Sequence, residues 1–586
     1  MKRICLFGIT VVIGLALMVT GCGEGDSATE NTTVNEQNKE NNQQDQNDDT
    51  CTPQDECTSD QCGEVDDGCG GTLDCGECPC QNGTPQSETC GTCDLGILQC
   101  GDGETGPGQC DAPEIPGFDG QCSELVAVSA ASGSSLGNGS IDDPVDSLDD
   151  AVSVARQRNA PALLIAGSDT YDGPLVIDEP ISVIGGFSED FQRDSDQTPT
   201  IYSSESVDGL DDGDIAGLSI GDVSEPIVVA DLDIQTADVE ATGATNYGAY
   251  VTNSPDITFR NVETVAGRGG DGTNRMTGAY GADGEPGKDA NEFLGGSTAD
   301  QDGYQEGFGG ENTECPQANG GDGGLGQYRS TGEQNHEPAT AGESGSDAAG
   351  GSPGAESAVH QNIGADDGED GASSPSATSG GGGSSTGEVV DGRWKQLGDG
   401  EDGEDGMDGS GGGGGGGGGV NVMWSNTESI IGSYGGGGGA GGCGGEGGEG
   451  GSGGGGSFGI FVFNSEIASI GSRFFAGVGG SGGAGGLGGL GGDGAQGGVP
   501  SVYRTGKGIY EYEDYELGGH GGDGADGADG GHGGGGAGGV SYGAYCHNSS
   551  IEASGNTRMS SGGSADGGLG GAESGEDGLA VDNHDC

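Results

Sequence analysis

Three short segments of this chain repeat one pattern: a glycine, four residues dominated by strand formers, then Asn-Ser. They read Gly248-Ala-Tyr-Val-Thr-Asn253-Ser254, Gly459-Ile-Phe-Val-Phe-Asn464-Ser465 and Gly543-Ala-Tyr-Cys-His-Asn548-Ser549. A fourth copy, Asn421-Val-Met-Trp-Ser-Asn426-Thr427, keeps the spacing with asparagine in place of the glycine. Each is followed within a few residues by Ile257, Ile467, Ile551 or Ile430. A unit this short cannot make a core alone, whereas stacked copies bury one continuous apolar column, which is the logic of a solenoid. Residues such as Val, Ile, Phe and Tyr, punctuated by turn residues, make the unit a β-coil. Asn253, Asn426, Asn464 and Asn548 are then expected to stack at one turn, their amides hydrogen-bonding up the column.

After every copy the chain enters glycine. Of 586 residues 140 are glycine and 19 proline, too many for conventional cores throughout. The tracts are a long insert at 263–418 and shorter ones at about 435–457, 477–541 and 561–579. Their recurrence after equivalent positions predicts loops leaving one side of the stack, where insertion costs little because closure entropy grows slowly with length. A collagen reading fails: Gly400, Gly403, Gly406 and Gly409 keep a three-residue period, but proline is scarce and the period dissolves into Gly411–Gly419. Flexible coil and laterally packed three-fold polyglycine helices both remain open. Packing is favoured for the shorter tracts, and disorder for 263–418.

Upstream, Ser147 and Asp150 form a capping-box-like pair before Leu148, Ala151, Val152 and Ala155, which share one face of a short helix over 145–156. Strands are expected at 162–166, 175–177, 181–184, 200–202 and 227–234. The order of small helix, ALLIAGSDTYDGPLVIDEPISVIGGF (162–187) and repeated coils resembles right-handed parallel β-helix proteins of the pectin-lyase-like type. The resemblance covers roughly 123–262 and the later rungs. It implies that the helix caps the open end, and that Gly173 and Ile184–Phe187 lie where coils turn. The GGx runs resemble glycine-rich (PGRS-like) repeats of polymorphic surface proteins. The fold class expected is all-β: a right-handed parallel β-helix with glycine-rich loop insertions, preceded by a small disulfide-rich module. Its N-terminal part is 123–262, its acidic glycine-rich insertion 263–418, and further rungs with glycine-rich loops fill 419–586.

Residues 1–22 read as a secretory signal. Lys2 and Arg3 precede an apolar stretch that ends in Val19-Thr20-Gly21-Cys22. This resembles a bacterial lipoprotein signal, which implies that Cys22 is acylated, by palmitate among other chains, and becomes the mature N-terminus. Gly23 follows it, not the Asp used for inner-membrane retention, so the resemblance implies a lipid anchor in the outer membrane, on its surface or periplasmic face. A membrane-spanning reading fits worse because the apolar run is short for a bilayer. Residues 23–50 hold almost nothing to bury and read as a disordered tether spanning roughly 30 Å. Over 51–122 come Cys51, Cys57, Cys62, Cys69, Cys75, Cys78, Cys80, Cys90, Cys93, Cys100, Cys110 and Cys122. An even number, little to bury and an oxidising compartment make six disulfides the economical account, with connectivity open. Zinc on the pairs Cys75/Cys78 and Cys90/Cys93 is the alternative. Farther on, a Cys546–Cys586 bond would pin the chain end to the last coil.

Seventeen basic against 97 acidic side chains give a net charge of −80, which excludes nucleic acid as a partner. Gly521-Gly522-Asp523-Gly524-Ala525-Asp526 matches the start of a calcium-binding nonapeptide, so Asp523 and Asp526 are weak calcium candidates. Paired carboxylates at Asp142-Asp143, Asp149-Asp150 and Asp211-Asp212 are adjacent in sequence, which on a strand points them apart. His520, His532 and His547 lack a nucleophile partner, and no phosphate loop survives inspection. The expectation is a cell-envelope protein with a structural, adhesive or cation- or glycan-binding role and no catalysis. The alternative is a polysaccharide-degrading β-helix enzyme, a lyase or glycoside hydrolase.

Overall fold

The computed structural model describes residues 109–291, 306–329, 337–346, 348–350, 352, 364–419, 430–507, 511–516 and 518–586, except positions 168, 195 and 208. Before these it describes 62, 64–66, 72–75, 80–81, 84–85 and 89–100. The chain is mostly sheet, and its one α-helix among the described residues, Leu148–Arg158, is too short to cross a membrane. Cys22, the tether, Cys51, Cys57, Cys69, Cys78 and Asn426 lie outside the described residues.

Three parallel sheets form the spine, and the chain visits them in rotation. The first holds Val126–Val128, Ala162–Ala166, Ser182–Phe187, Ile227–Ala230, Ile257–Arg260, Glu466–Ile470 and Ser550–Ser554 in spatial order. The second holds Thr170–Asp172, Thr200–Ser203, Asp233–Thr236, Glu263–Val265, Arg473–Phe475 and Arg558–Ser560. The third holds Leu175–Ile177, Ile215–Gly221, Asn246–Thr252, Ser457–Phe463, Ser541–His547 and Ala580–His584. Each strand pairs with its equivalent one circuit away, so inward side chains stack in columns such as Ile227, Ile257, Ile467 and Ile551. One buried cluster runs the length of the spine, from Val126 to Ile551. The helix starts at Ser147, whose Oγ accepts from the Asp150 N–H at 3.2 Å. It buries Leu148, Ala151, Val152 and Ala155 against that same column.

Two expectations change here. The apolar run 227–234 is two strands, because Asp231 takes a φ of 56° and turns a corner between them. The fourth repeat copy, Asn421–Thr427, lies outside the described residues; Ile430, expected to stack with Ile257, pairs instead with Arg329 in an antiparallel bridge, while Asn246–Thr252 pairs with Ser457–Phe463.

All the glycine inserts leave at one corner, between the second and third sheets. The expectation of disorder for 263–418 is corrected over its described residues. They pack with the shorter tracts into a bundle of extended limbs joined by backbone hydrogen bonds at every third residue. The N–H groups of Gly272, Arg275, Gly278, Gly281, Gly284 and Gly287 donate to the carbonyls of Ser481, Ala484, Leu487, Leu490, Asp493 and Gln496. A three-residue repeat of donors is that of a three-fold extended helix, whose N–H groups point outward in three directions and must find partners on neighbours. The limb at 435–455 shows all three directions. Gly439, Gly442 and Gly445 donate to Gly522, Ala525 and Ala528; Ala440 and Cys443 donate to Glu285 and Ala282; Gly435 and Gly438 donate to Gly324 and Gly321.

The bundle inherits its register from the spine. Glu263 pairs with Arg473, an offset of 210 residues, and the outgoing limbs keep it: Asp271 meets Ser481 and Asp289 meets Val499. Returning limbs do the same, since Ser457 pairs with Ser541 while Gly439 donates to Gly522. Outgoing and returning limbs run antiparallel, so each insert folds back on itself before re-entering the third sheet. Glycine is required inside: a Cβ on Gly439, Gly442 or Gly445 would run into the carbonyl oxygen of Ala495, Gly492 or Gly489. One residue in three escapes this, which is where Ala440, Cys443, Glu446, Glu449 and Ser452 stand.

Candidate functional site

The turn between the third and first sheets is the most regular polar feature of the spine. Asp222, Asn253, Asn464 and Asn548 all have a φ near 50°, in the left-handed region that asparagine and aspartate tolerate. Asn253 Nδ2 donates to Asp222 Oδ1 at 2.9 Å, Asn464 Nδ2 to Asn253 Oδ1 at 3.3 Å and Asn548 Nδ2 to Asn464 Oδ1 at 3.4 Å. The structure thus brings together Asn253, Asn464 and Asn548, with Asp222 completing the column below. The serine that follows works one layer deeper: the Ser254 N–H donates to Ser465 Oγ at 2.9 Å, and the Ser465 N–H to Ser549 Oγ at 3.0 Å. A second column at the next corner escaped the sequence reading. There Asp231, Asn261, Gly471 and Gly555 share a positive φ, and Asn261 Nδ2 donates to Asp231 Oδ1 at 3.0 Å. Its signal is faint because glycine fills two of the four places.

The acidic residues of the bundle have a specific task. Where no neighbouring limb supplies a carbonyl, an aspartate does so with its side chain. Asp399, Asp402, Asp405 and Asp408 accept from the N–H groups of Gly453, Gly450, Gly447 and Gly444 at 2.7–2.8 Å. They continue the row that Gly324 and Gly321 fill by backbone farther along the same limb. Asp523 and Asp526 belong to an equivalent row: their Oδ1 atoms accept from Gly497 and Gly494 at 2.9 and 2.8 Å. Neither belongs to a set of three converging metal-ligand atoms among the described residues; Cys315, Asp408 and Cys443 form such a set, and its two sulfurs are bonded to each other. The sequence periods DGEDGEDG and DGADGADG are therefore read by the backbone of the next limb.

The described cysteines are disulfide-bonded. Cys80–Cys100, Cys90–Cys110 and Cys93–Cys122 are disulfides, and Cys62 and Cys75 are also disulfide-bonded. Cys90 and Cys93 therefore cannot form one zinc knuckle. Cys546 bonds Cys586, and Cys315 bonds Cys443 across 128 residues of insert.

One member of each carboxylate pair weighed for catalysis is engaged in a hydrogen bond. Asp143 Oδ2 accepts from the Asn138 N–H, Asp150 Oδ2 from Ser147 Oγ, and Asp211 Oδ1 from Arg393 Nη1. A groove of about 1230 Å³ runs between the helix and the outer face of the third sheet, with Asp149, Asp172, Asp178, Glu205 and Asp222 on its walls. Arg156 there is paired with Asp178. The third sheet's outer face carries an aromatic stack, Tyr250, Phe461, Tyr545 and His584, with successive ring centroids 5.0–5.7 Å apart. A hairpin, Gly387–Val390 with Arg393–Gln396, covers part of it through Trp394.

No protein-family model and no curated protein sequence matches this chain. Two solved structures are similar to part of it: the GH136 lacto-N-biosidase from Eubacterium ramulus, as native protein at 15% identity and as a selenomethionine derivative at 13%. In each the likeness covers 24% of this chain and 27% of that enzyme, with a TM-score of 0.17. The chain thus spans about a quarter of the enzyme's length, and the likeness assigns it no activity. It does correct the expectation of a chain without catalysis, since the solved structures found beside it are glycoside hydrolases.

Proposed function

We propose that this is a lipid-anchored cell-envelope protein, whose tether and disulfide module hold a rigid, acidic, hydrated body out from the outer membrane, in a structural or adhesive role toward glycans, divalent cations or other surface components. One observation carries the reading. The glycine bundle satisfies its backbone internally, with edge N–H groups taken by aspartate side chains, so a chain of net charge −80 presents a stiff, ordered acidic surface. The spine is read as a right-handed parallel β-helix. Parallel strands joined by crossovers take that hand in about 98% of cases, and the three-sheet rotation supplies such crossovers at every circuit. Several acyl chains at Cys22 would hold the body firmly, each buried CH₂ contributing about 0.8 kcal/mol.

Metabolic labelling with an alkyne palmitate, followed by membrane fractionation, tests the anchor. The wild-type chain is expected to carry label and to sediment with the outer membrane, and Cys22→Ser to lose both. A wild-type chain that is unlabelled and released from cells would overturn the reading.

A further inference from the structure

A second, smaller cavity of about 300 Å³ sits where the spine meets the bundle. Its wall joins sequence-distant pieces: Asp211, Asp212 and Asp214 before a strand of the third sheet, Thr242–Thr245 one circuit later, the covering hairpin with Trp394, Lys395 and Gln396, and the bundle at Asp399 and Gly453. Two polar atoms of this lining are buried and have no partner, Asp214 Oδ2 and Gln396 Nε2. Asp214 is only 3% exposed, and its other oxygen accepts from the Thr245 N–H at 2.6 Å, which fixes the carboxyl in place. The Gln396 amide is fixed too: Trp394 Nε1 donates to its Oε1 at 3.3 Å, leaving Nε2 as the unmet donor. Leaving buried polar groups unmet is costly, so two in one cavity mark a place where something else completes the hydrogen bonding.

The chemistry of the two atoms restricts the ligand. Gln396 Nε2 needs an acceptor, which neither a metal ion nor an ammonium can offer. Asp211, Asp212, Asp214 and Asp399 outnumber Lys395 around the cavity, which disfavours an anion. A hydroxyl group accepts from the amide and exchanges a proton bond with the carboxyl in either state. Burial, with Asp211 close by, raises the Asp214 carboxyl to about 7, so near neutrality it can both donate and accept. The volume lies at the lower bound of small-molecule sites, about 300–1,000 Å³.

We propose that this cavity binds a neutral polyhydroxylated ligand of about the size of one pyranose ring, held between Asp214 Oδ2 and Gln396 Nε2. The site goes beyond the envelope reading and does not depend on where the chain is anchored. Calorimetric titration of the full-length protein in detergent, with glucose, galactose and N-acetylglucosamine, tests it; glucosamine and calcium chloride serve as counter-probes. At least one neutral sugar is expected to bind saturably at a single site. Gln396→Met, which retains the bulk of the side chain, is expected to weaken it about tenfold. Asp214→Asn keeps the bond to Thr245 and should flatten the change in affinity between about pH 6 and pH 8 that the wild type shows. Absence of saturable binding by all three neutral sugars overturns the proposal. So does binding unchanged in both variants, or saturation by glucosamine or calcium alone.

Discussion

At the residue scale, this molecule is governed by where a Cβ can go and where a backbone N–H can point. Gly442 has the carbonyl of Gly492 where its Cβ would sit, whereas Glu449, on the third position of the repeat, faces solvent. Gly442→Ala should therefore destabilise by about 1–3 kcal/mol through overpacking against rigid backbone, while Glu449→Ala should stay within about 0.5 kcal/mol of wild type. Chemical denaturation of both variants checks the contrast, and equal effects would contradict the packing. Asp214 offers a second test. Its folded-state pKa, about 7, lies above the ordinary carboxyl value of 3.8, so its contribution is fully present below the lower value and is lost as pH rises through the upper. Thermal melts of wild type and Asp214→Asn should diverge in the variant's favour between about pH 4 and pH 8, with no further divergence above it. A constant difference across that range would show that Asp214 ionises normally. The asparagines of the repeat were legible as a turn column because their spacing recurs; Asp214 was not, because an acid two residues from another acid looks like surface until the fold buries it.

At the element scale, the limbs of the bundle are neither strands nor α-helices, and their stability rests on lateral partners. The row Asp399, Asp402, Asp405 and Asp408 substitutes for a missing neighbour, one carboxylate per turn. Asp402→Ala should leave the buried Gly450 N–H unpaired and speed its hydrogen exchange. Asp402→Asn retains an acceptor oxygen and should keep it protected. Equal protection in the two variants would mean that the row is ornamental. The three-residue period was visible in the sequence, as was the recurrence of inserts after equivalent rungs. Disorder was nevertheless the expectation for 263–418, because composition reports what one limb can bury alone and is silent about lateral register. That register comes from the spine, where pairing Glu263 with Arg473 sets Asp271 against Ser481 farther out. The same blindness placed Ile430 in the column of Ile257: the local spacing fits, yet Ile257 stacks directly on Ile467 and Ile430 pairs with Arg329.

At the scale of the whole molecule, two kinds of interior are fused along one corner. The spine is held by an apolar column from Val126 to Ile551, the ordinary hydrophobic route to stability. The bundle interior is peptide against peptide: Gly439, Gly442 and Gly445 are buried with no side chain to shield, and their N–H groups end on carbonyls of other limbs. Unfolding the spine exposes apolar surface and raises heat capacity, whereas unfolding the bundle exposes mainly polar backbone, which lowers it. The whole chain should therefore show a heat-capacity increment per residue clearly below the usual figure of about 12–15 cal/mol/K. Because the limbs take their register from the coils, the spine should not lose its structure while the bundle survives. Differential scanning calorimetry of the oxidised protein, with the bundle followed by hydrogen exchange at its glycines, checks both points. An increment in the usual range would mean that the glycine limbs bury far more apolar surface than their packing contains. Glycine protection that outlasts melting of the spine would show that the bundle sets its own register.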